Sequence, residues 1–448
     1  MKPRLTDAWR RLSVGSTSIA ETGGVLSQVR SQRLIAILLC SLLLSGVLVS
    51  PLQAGSEIDR SDAFFDRTGK LMELPFRTLA DLQTRMKAIT TVVQADTFWQ
   101  EITSLGQMPL VFGDTAVFFY RGPATTVEWI GDFTIWQAGE PLAGELVGTT
   151  GIWAAQRRFP RDARFDYKVR IDGQQRNDPL NPLTQLDGHQ LNSVLTMPDY
   201  VYPQATVRRS GIPKGTLSTP FVINSNHLGY AKRVQIYTPA GYEKLKNLPV
   251  LYVTDGHEYA NPSMGALPVV LDNLIADGSI QPMMAVFIDP RDIDTGENRR
   301  GPELLTNPNF QNFLTRELIP WVDSHYPTRP LREARGLAGM SLGGLHATYT
   351  ATRQSDWFAF IGILSPYYTA KSAVLADFEK SKRLPVKLFV SQGTFDFDVS
   401  NTRHLRNVLR TKVYPFKYVE TNDGHSWGNW RGVLDDMLIY FWGNQEPS

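Results

Sequence analysis

The sequence predicts an α/β fold in which a doubly wound, mainly parallel sheet follows a small all-β sandwich. From residue 221 onward, short apolar runs alternate with segments of helical spacing, as in a parallel sheet covered by helices on both faces. Residues 108–185 instead hold short β-rich runs broken by turn residues, which is typical of a sandwich. A chain of 448 residues with 42% hydrophobic content can build more than one core.

The first 54 residues predict an export signal peptide. Arg30 and Arg33 precede an uncharged, mostly apolar run over residues 34–49, and the segment 50–54 supplies a helix breaker and a small residue suited to cleavage. The run is shorter than the roughly 20 residues that a bilayer-spanning helix needs, so an uncleaved anchor and a buried core helix are the lesser alternatives. We therefore expect an exported protein, periplasmic or secreted, that meets a membrane only through this segment if it stays uncleaved.

Charge and cysteine content argue against several classes of partner. The net charge is +2, but residues 1–33 hold six of the 46 basic residues and two of the 44 acidic ones. The rest of the chain is thus near neutral, with about −2, and gives no electrostatic reason to expect nucleic acid. The only cysteine, Cys40, lies in the apolar run, so the mature chain would have neither disulfides nor thiolate chemistry. We expect no cofactor and no metal.

Residues 55–107 predict a helical lead-in, in which Phe98, Ile102 and Leu105 share one face of a helix. The predicted β sandwich, residues 108–185, has its strongest strand candidates at 116–120, 126–130 and 165–171.

Two prolines in the segment 178–182 end this pattern, because proline cannot donate a hydrogen bond within a ladder. A polar link is predicted for residues 186–220. Trp129, Trp136 and Trp153 are interpreted as core residues of the sandwich, with an exposed sugar-binding platform as the less favoured alternative.

Residues 221–448 predict the domain built around the doubly wound sheet. The apolar run 248–254 is typical of a strand covered on both faces. Further strands are predicted at 234–239, 284–288, 386–391 and 416–420, with helices at 310–325 and 401–409. In such a sheet, ligands bind beyond the carboxyl ends of the strands, so residues that directly follow strands are the candidates for chemistry.

Ser341 lies in such a place. The segment 336–346 reads as a short apolar strand, the G-x-S-x-G of Gly339, Ser341 and Gly343, and then helix-forming residues. On this strained strand-to-helix turn, the residues two before and two after the serine crowd each other, so both must be small. The turn exposes the serine hydroxyl and brings the backbone N–H of Leu342 towards a developing oxyanion. The motif in this setting predicts an α/β-hydrolase fold with Ser341 as nucleophile.

A serine hydroxyl needs a histidine to take its proton and a carboxylate to orient that histidine, and in this fold the chain order is serine, acid, histidine. His425 fits because it lies in a loop after the strand 416–420. His404 also satisfies the order but lies in a predicted helix beside two arginines, where a surface role is favoured. His346 precedes every candidate acid.

The acid is expected directly after the strand 386–391, where the chain offers Asp396 and Asp398. We favour Asp396, but the alternation with the neighbouring phenylalanines does not decide which carboxylate faces the histidine. Asp398 is alternatively an N-terminal residue of the following helix. Asp423 is interpreted as a turn former.

A second oxyanion donor is expected in the loop after an early strand. Gly256 allows a close backbone approach there, and the N–H of His257 or Glu258 is the candidate donor. An ordinary Asp-Gly turn is the competing interpretation.

Taken together, these residues resemble the enterochelin (siderophore) esterase-like branch of the "putative esterase" family over most of residues 90–445. Besides the Ser341 elbow, the resemblance is carried by Phe98-Trp99, Gly131-Asp132-Phe133, Asp178-Pro179-Leu180-Asn181-Pro182, Tyr237 to Tyr242, Asp255-Gly256, Arg300 to Leu304, Glu317 to Pro320 and Gly424 to Arg431. The resemblance implies carboxylic ester hydrolysis through Ser341, Asp396 and His425, and an early-set, immunoglobulin-like sandwich in front. The chain departs from the family in two respects. Its candidate acid is Asp, where siderophore esterases often have Glu, and its predicted export signal does not suit a cytosolic siderophore esterase.

The expected substrate is a small-molecule or glycan ester, of the siderophore type or an acylated carbohydrate. Two alternatives stay open. An acyltransferase would use the same three residues and differ in the acceptor, whereas a non-catalytic protein would hold a glycan or siderophore on this scaffold.

Overall fold

The computed structural model describes residues 76–188 and 190–443. The predicted export signal, residues 1–54, lies outside the described residues. In the described parts, no helix is long and apolar enough to cross a bilayer.

Two helices, α1 (Leu79–Lys87) and α2 (Val92–Ser104), open the described chain. Phe98 and Ile102 are fully buried on one face of α2, as the spacing predicts. The ring of Phe98 packs edge-on against Phe119 with 5.9 Å between the ring centroids. This contact holds α2 against the strand that contains Phe119, Thr115–Arg121.

The predicted β sandwich is formed by two antiparallel sheets over residues 110–196, with strand orders β1-β2-β6-β5 and β4-β3-β7-β10-β9, and β8 beside β7. Phe118, Trp129 and Tyr167 fill the space between them. Trp153 is also buried in this core, and Trp136 is half-buried. The strands are β1 (Leu110–Phe112), β2 (Thr115–Arg121), β3 (Val127–Gly131), β4 (Leu142–Ala143), β5 (Glu145–Leu146), β6 (Ile152–Arg158), β7 (Arg164–Ile171), β8 (Gln174–Arg176), β9 (Thr184–Asp187) and β10 (Gln190–Thr196).

The sandwich continues beyond residue 185, into the stretch expected to be a polar link. β10 pairs with β7, although Asn192 and Ser193 interrupt its apolar pattern. Both polar side chains are fully buried and hydrogen-bonded: Asn192 donates to Asp166 at 3.2 Å, and Ser193 accepts from the backbone N–H of Asp178 at 2.8 Å. Buried polar residues that find internal partners look like loop residues in a sequence, which is why this strand was not predicted.

The large sheet has the order β11-β13-β15-β14-β16-β17-β18-β19, with β12 paired to β13. The six strands from β15 to β19 along this path are parallel, and the β11 to β13 edge is antiparallel. The predicted doubly wound, mainly parallel sheet is therefore confirmed. Its strands are β11 (Thr216–Leu217), β12 (Phe221–Asn224), β13 (Ala231–Thr238), β14 (Val250–Val253), β15 (Met284–Ile288), β16 (Arg335–Met340), β17 (Phe360–Leu364), β18 (Lys387–Gly393) and β19 (Phe416–Thr421).

Helices cover both faces of this sheet. Successive side chains of its central strands point to opposite faces and therefore alternate between two apolar cores. Val250 and Tyr252 belong to one core, and Leu251 and Val253 to the other. The helices are α3 (Gly256–Ala260), α4 (Leu267–Ala276), α5 (Arg300–Leu304), α6 (Pro308–Asn312), α7 (Ile319–His325), α8 (Leu342–Arg353), α9 (Ala373–Lys380), α10 (Val399–Thr411), α11 (Trp427–Arg431) and α12 (Leu434–Trp442). The predicted helix 310–325 is α6 and α7 joined by the π-helical turn Phe313–Leu318.

Candidate active site

Ser341 forms a sharp turn between β16 and α8 at the carboxyl edge of the large sheet. Its backbone has φ 59° and ψ −118°, a conformation that a residue with a side chain rarely adopts, and its N–H donates to Leu364 O at 2.9 Å. A Cβ atom on Gly339 would lie 2.5 Å from the carbonyl carbon of Gly343, so the predicted crowding across the turn is present. Thr254 closes the space further, since its Oγ1 atom would lie 2.5 Å from a Cβ on Gly343.

Three side chains meet above this turn. The Ser341 Oγ atom lies 2.8 Å from His425 Nε2, and His425 Nδ1 lies 2.8 Å from Asp396 Oδ2. The carboxylate fixes the tautomer: Nδ1–H donates to Asp396, so Nε2 accepts the proton of the serine hydroxyl. The imidazole is 11% exposed and the carboxylate fully buried, so the histidine can reach solvent and its orienting group cannot.

Asp396, which the sequence favoured, and Asp398, its alternative, face different partners. Asp398 accepts hydrogen bonds from the backbone N–H and the hydroxyl of Thr369, both at 2.9 Å, and from Asn401 at 2.5 Å. It also occupies the N-cap position of α10, where the alternative interpretation placed it. The two carboxylates thus have separate surroundings, and only Asp396 contacts the histidine.

Aromatic rings hold the imidazole of His425 from two sides. The Phe397 ring lies 4.6 Å from it between centroids, and the Trp430 ring meets it edge-on at 5.0 Å. Phe397 in turn contacts Tyr367 at 5.0 Å. These contacts restrict the rotation of the histidine. The sequence did not single out either ring for this role, because Phe397 lies in a turn and Trp430 in the short helix α11, and neither forms part of a periodic pattern.

Candidate oxyanion donors lie at two helix starts. Leu342 is the first residue of α8, and Gly256 and His257 are the first two of α3, so their backbone N–H groups have no acceptor within their own helices. The N–H of Glu258 instead donates to Asp255 O at 2.9 Å, which removes it from the candidates. A Cβ atom on Gly256 would lie 2.3 Å from the backbone of β15, so only glycine fits this approach.

Arg300 connects these two turns, a role that the sequence did not reveal. Its Nε atom donates to Asp255 Oδ1 at 2.8 Å, and its Nη2 atom donates to Met340 O at 3.1 Å. Asp255 directly precedes Gly256, and Met340 directly precedes Ser341. One guanidinium therefore fixes the distance between the two candidate oxyanion turns. The Arg300–Leu304 segment contributed to the family resemblance, but its spacing to the serine gave no sign of contact.

Burial shifts the pKa of two side chains on α3, Glu258 and His257. Burial, together with the charge of Asp255, raises the pKa of Glu258 to about 7, although Trp427 donates to its Oε2 atom at 2.7 Å. Burial lowers the pKa of His257, whose Nδ1 atom lies 3.5 Å from Asp289 Oδ1. Among the residues that the structure describes, no group of three His, Cys, Asp or Glu side chains is arranged to hold a metal ion.

The remaining candidates from the sequence lie elsewhere. His404 is half exposed on α10 and lies 3.1 Å from Glu379, as a surface residue. His346 is buried in the core, where its Nε2 atom lies 2.8 Å from the amide nitrogen of Gln311. Asp423 is buried and interacts with the charge of Arg164, and burial raises its pKa to about 7.

The fold and the serine turn define the class of the protein as an α/β-hydrolase. Residues 225–441 match the model of the family described as "Putative esterase". Over 73% of this chain and 92% of its own length, the enterobactin esterase from Shigella flexneri has the same fold, with a TM-score of 0.62 and 22% identity.

Within the matched segment, the chain is similar to the enterochelin esterase-like branch of this family. Two curated relatives are an endo-1,4-beta-xylanase/feruloyl esterase from Xylanibacter ruminicola and the iron(III) enterobactin esterase from Escherichia coli K12. The first is 26% identical over 64% of this chain and 39% of its own length. The second is 28% identical over 49% of this chain and 55% of its own length. The matched part therefore spans about half or less of each of these two relatives.

Proposed function

We propose that the protein is a serine-dependent carboxylic ester hydrolase that works through an acyl-enzyme. What supports the proposal is the continuous chain of contacts from Ser341 Oγ to His425 Nε2 and from His425 Nδ1 to Asp396 Oδ2, each 2.8 Å long. A hydroxyl, an imidazole and a buried carboxylate in this order are the groups that activate a serine for attack on an ester.

In the first step, Ser341 Oγ attacks the ester carbonyl carbon while His425 Nε2 takes the hydroxyl proton. Asp396 stabilises the imidazolium that forms, and it keeps the ring in the tautomer that accepts at Nε2. The backbone N–H of Leu342, with that of Gly256 or His257, binds the developing oxyanion. The imidazolium then protonates the leaving alcohol, which departs and leaves an acyl group on Ser341.

In the second step, His425 takes a proton from water, and the resulting nucleophile attacks the acyl carbon. The same N–H groups bind the second oxyanion. Ser341 recovers its proton from the imidazolium as the carboxylic acid leaves, and the site returns to its starting state.

For the substrate, we propose a siderophore-type ester or an ester of an acylated carbohydrate. The support comes from relatives named as an iron(III) enterobactin esterase and an endo-1,4-beta-xylanase/feruloyl esterase. Rates with a catecholate trilactone, feruloyl esters and acetylated glycans, measured side by side on the full chain, will separate these classes.

The activity is tested with p-nitrophenyl acetate and butyrate. We expect turnover by the parent protein and a loss of at least about 10³-fold in kcat for Ser341→Ala, since the nucleophile is removed. Ser324→Ala, on a partly exposed hydroxyl of α7, is the matched control and should keep full activity. An inactive parent, or an undiminished Ser341→Ala, would refute the proposal. If an alcohol accepts the acyl group faster than water does, with both compared at equal thermodynamic activity, the result would instead identify an acyltransferase.

We further propose that residues 1–54 direct the protein out of the cytoplasm, on the strength of Arg30, Arg33 and the apolar run 34–49. Fractionation of cells that express the full chain, with N-terminal sequencing of the mature protein, tests this. Full-length protein confined to the cytoplasm would contradict it.

A further inference from the structure

The loop that carries His425 rests on the β sandwich. We call residues 422–426, between β19 and α11, the His425 loop. Arg164 at the start of β7 touches both ends of this loop: its backbone N–H donates to Asn422 O at 3.1 Å, and its Nη1 atom donates to Ser426 Oγ at 3.3 Å. Asn422 also donates through its side chain to Asp162 of the sandwich at 2.8 Å.

Arg164 is itself held in place inside the sandwich. It is 1% exposed, and its Nη2 atom forms an ion pair with Asp166 Oδ1 at 2.6 Å. Asp166 accepts from Asn192, and its backbone N–H donates to Asp132 Oδ2 at 2.8 Å. Burial opposes the charge of Arg164, but the carboxylates of Asp166 and Asp423 outweigh it and raise the pKa of the guanidinium. The guanidinium therefore stays charged. Its ion pair with Asp166 holds it to the sandwich, and the charge of Asp423 attracts it to the His425 loop.

The loop and the sandwich approach as closely as the backbone permits. A Cβ atom on Gly424 would lie 2.1 Å from Asp132 Cγ, and one on Gly428 would lie 1.8 Å from Arg164 Nη1. Any side chain at either position would push the loop away from the sandwich. The two glycines flank His425, so such a shift would move the imidazole.

The segment that carries Asp396 also contacts the sandwich. Phe165, next to Arg164 on β7, packs edge-on against Phe395 with 4.7 Å between ring centroids. Ser341, by contrast, is held by the large sheet through Leu364. The alignment of His425 and Asp396 with the serine thus depends on how the sandwich docks.

We propose that Arg164 is a positioning residue that holds the His425 loop so that Nε2 stays within hydrogen-bond distance of Ser341 Oγ. The inference rests on the proposed ester hydrolysis. A displacement of about 1 Å at a catalytic group can cost about 100-fold in rate. Loss of the contacts that the Arg164 side chain makes should therefore lower kcat about 10- to 100-fold and change KM by less than about twofold, because Arg164 is buried and touches the loop instead of the substrate.

The test uses the full chain with four variants. Arg164→Met removes the cation, and the double variant Arg164→Met with Asp166→Asn removes it while keeping the buried charges balanced, so that the fold is preserved. Arg164→Lys keeps the charge but has a single ammonium group in place of the guanidinium fork. Arg170→Met is the matched control, since Arg170 lies on the same strand and pairs at 2.7 Å with Glu128 within the sandwich.

Three readouts are taken for each variant: kcat and KM for p-nitrophenyl butyrate, the thermal unfolding midpoint, and the low-field proton resonance of His425 Nδ1–H in its hydrogen bond to Asp396. We expect the double variant to lose kcat and to broaden or lose this resonance, Arg164→Lys to recover part of both, and Arg170→Met to resemble the parent. A folded double variant with the parent's kcat and resonance would overturn the inference, as would an equal loss in Arg170→Met.

The resonance keeps the inference separate from the proposed function. If the parent hydrolyses no ester, the function fails. The inference is then decided by the resonance alone: an unchanged signal in the double variant refutes it, and a lost signal supports it.

Discussion

The Nδ1 atom of His425 lies 2.8 Å from Asp396 Oδ2, while Asp398, two residues further along the chain, faces Thr369. The same loop therefore presents two buried carboxylates with separate tasks, one at the histidine and one at the start of α10. This separation can be tested with a matched pair of substitutions.

We predict that Asp396→Asn lowers kcat by about 10³- to 10⁴-fold, because an amide cannot stabilise the imidazolium and favours the wrong tautomer of His425. Asp398→Asn should keep kcat within about threefold of the parent and lower the thermal midpoint instead, since it weakens the contacts to Thr369 and Asn401. Steady-state kinetics with p-nitrophenyl butyrate and thermal melts measure both. The reverse pattern would assign the acid to Asp398.

The close approach of Gly256 to β15 predicts a loss of activity in Gly256→Ala. The added Cβ atom would meet the backbone of Phe287 and Ile288 at 2.3 Å, so α3 must move and take its N–H groups with it. We expect kcat/KM to fall about 10²- to 10³-fold, the cost of an oxyanion donor. Gly301→Ala in α5, where the Cβ atom would meet nothing within 4 Å, should keep the activity of the parent. Equal activities in the two variants would exclude the backbone N–H groups of α3 as oxyanion donors.

Glu258 predicts a pH-dependent stability. Its pKa is about 7 in the folded protein because of burial and the charge of Asp255, against 4.5 without these effects. Between these values the folded state keeps a proton that the unfolded state has lost, so this group lowers the free energy of unfolding as the pH rises from about 4.5 to 7. Above about pH 7 the decrease in the free energy of unfolding has reached its full size, and below about pH 4.5 there is no decrease.

Glu258→Gln removes this titration and can keep the hydrogen bond from Trp427. The variant should therefore gain stability relative to the parent at pH 8 but not at pH 4.5. Urea unfolding at both values measures the difference, and Glu297→Gln, at a side chain that is 69% exposed, serves as the control. A gain that is the same at both pH values would contradict the prediction.

The buried ion pair between Lys232 and Glu303, 2.8 Å apart and 1% exposed on each side, should be sensitive to the loss of either partner. Lys232→Met leaves a carboxylate buried without its cation, and we expect a loss of about 3–5 kcal/mol in the free energy of unfolding. Arg353→Met breaks a pair with Asp377 that is half exposed on both sides and should cost about 0–1 kcal/mol. Urea denaturation measures both, and equal costs would show that the pair at Lys232 is solvated.

Local patterns predicted much of the fold. Burial of one or both faces of a strand or helix leaves a pattern within about ten residues. Examples are the apolar runs at β14 and β15 and the helical patterns at α7 and α10. β10 was not predicted because its polar residues Asn192 and Ser193 are satisfied by distant partners, Asp166 and Asp178. Such bonds connect positions far apart in the chain and leave no local pattern.

By itself, the sequence determined the strand, turn and helix around Ser341, since the crowding of Gly339 and Gly343 is a property of neighbouring residues. Chain order also reduced the candidate histidines to His404 and His425, and the loop position of His425 favoured it over His404. Only the tertiary structure showed that Asp396, and not Asp398, contacts His425. It also brought Arg300 between the two helix starts and set Arg164 against the His425 loop. These relations depend on the directions of side chains from separate elements, which are fixed when the sheets and their loops pack together.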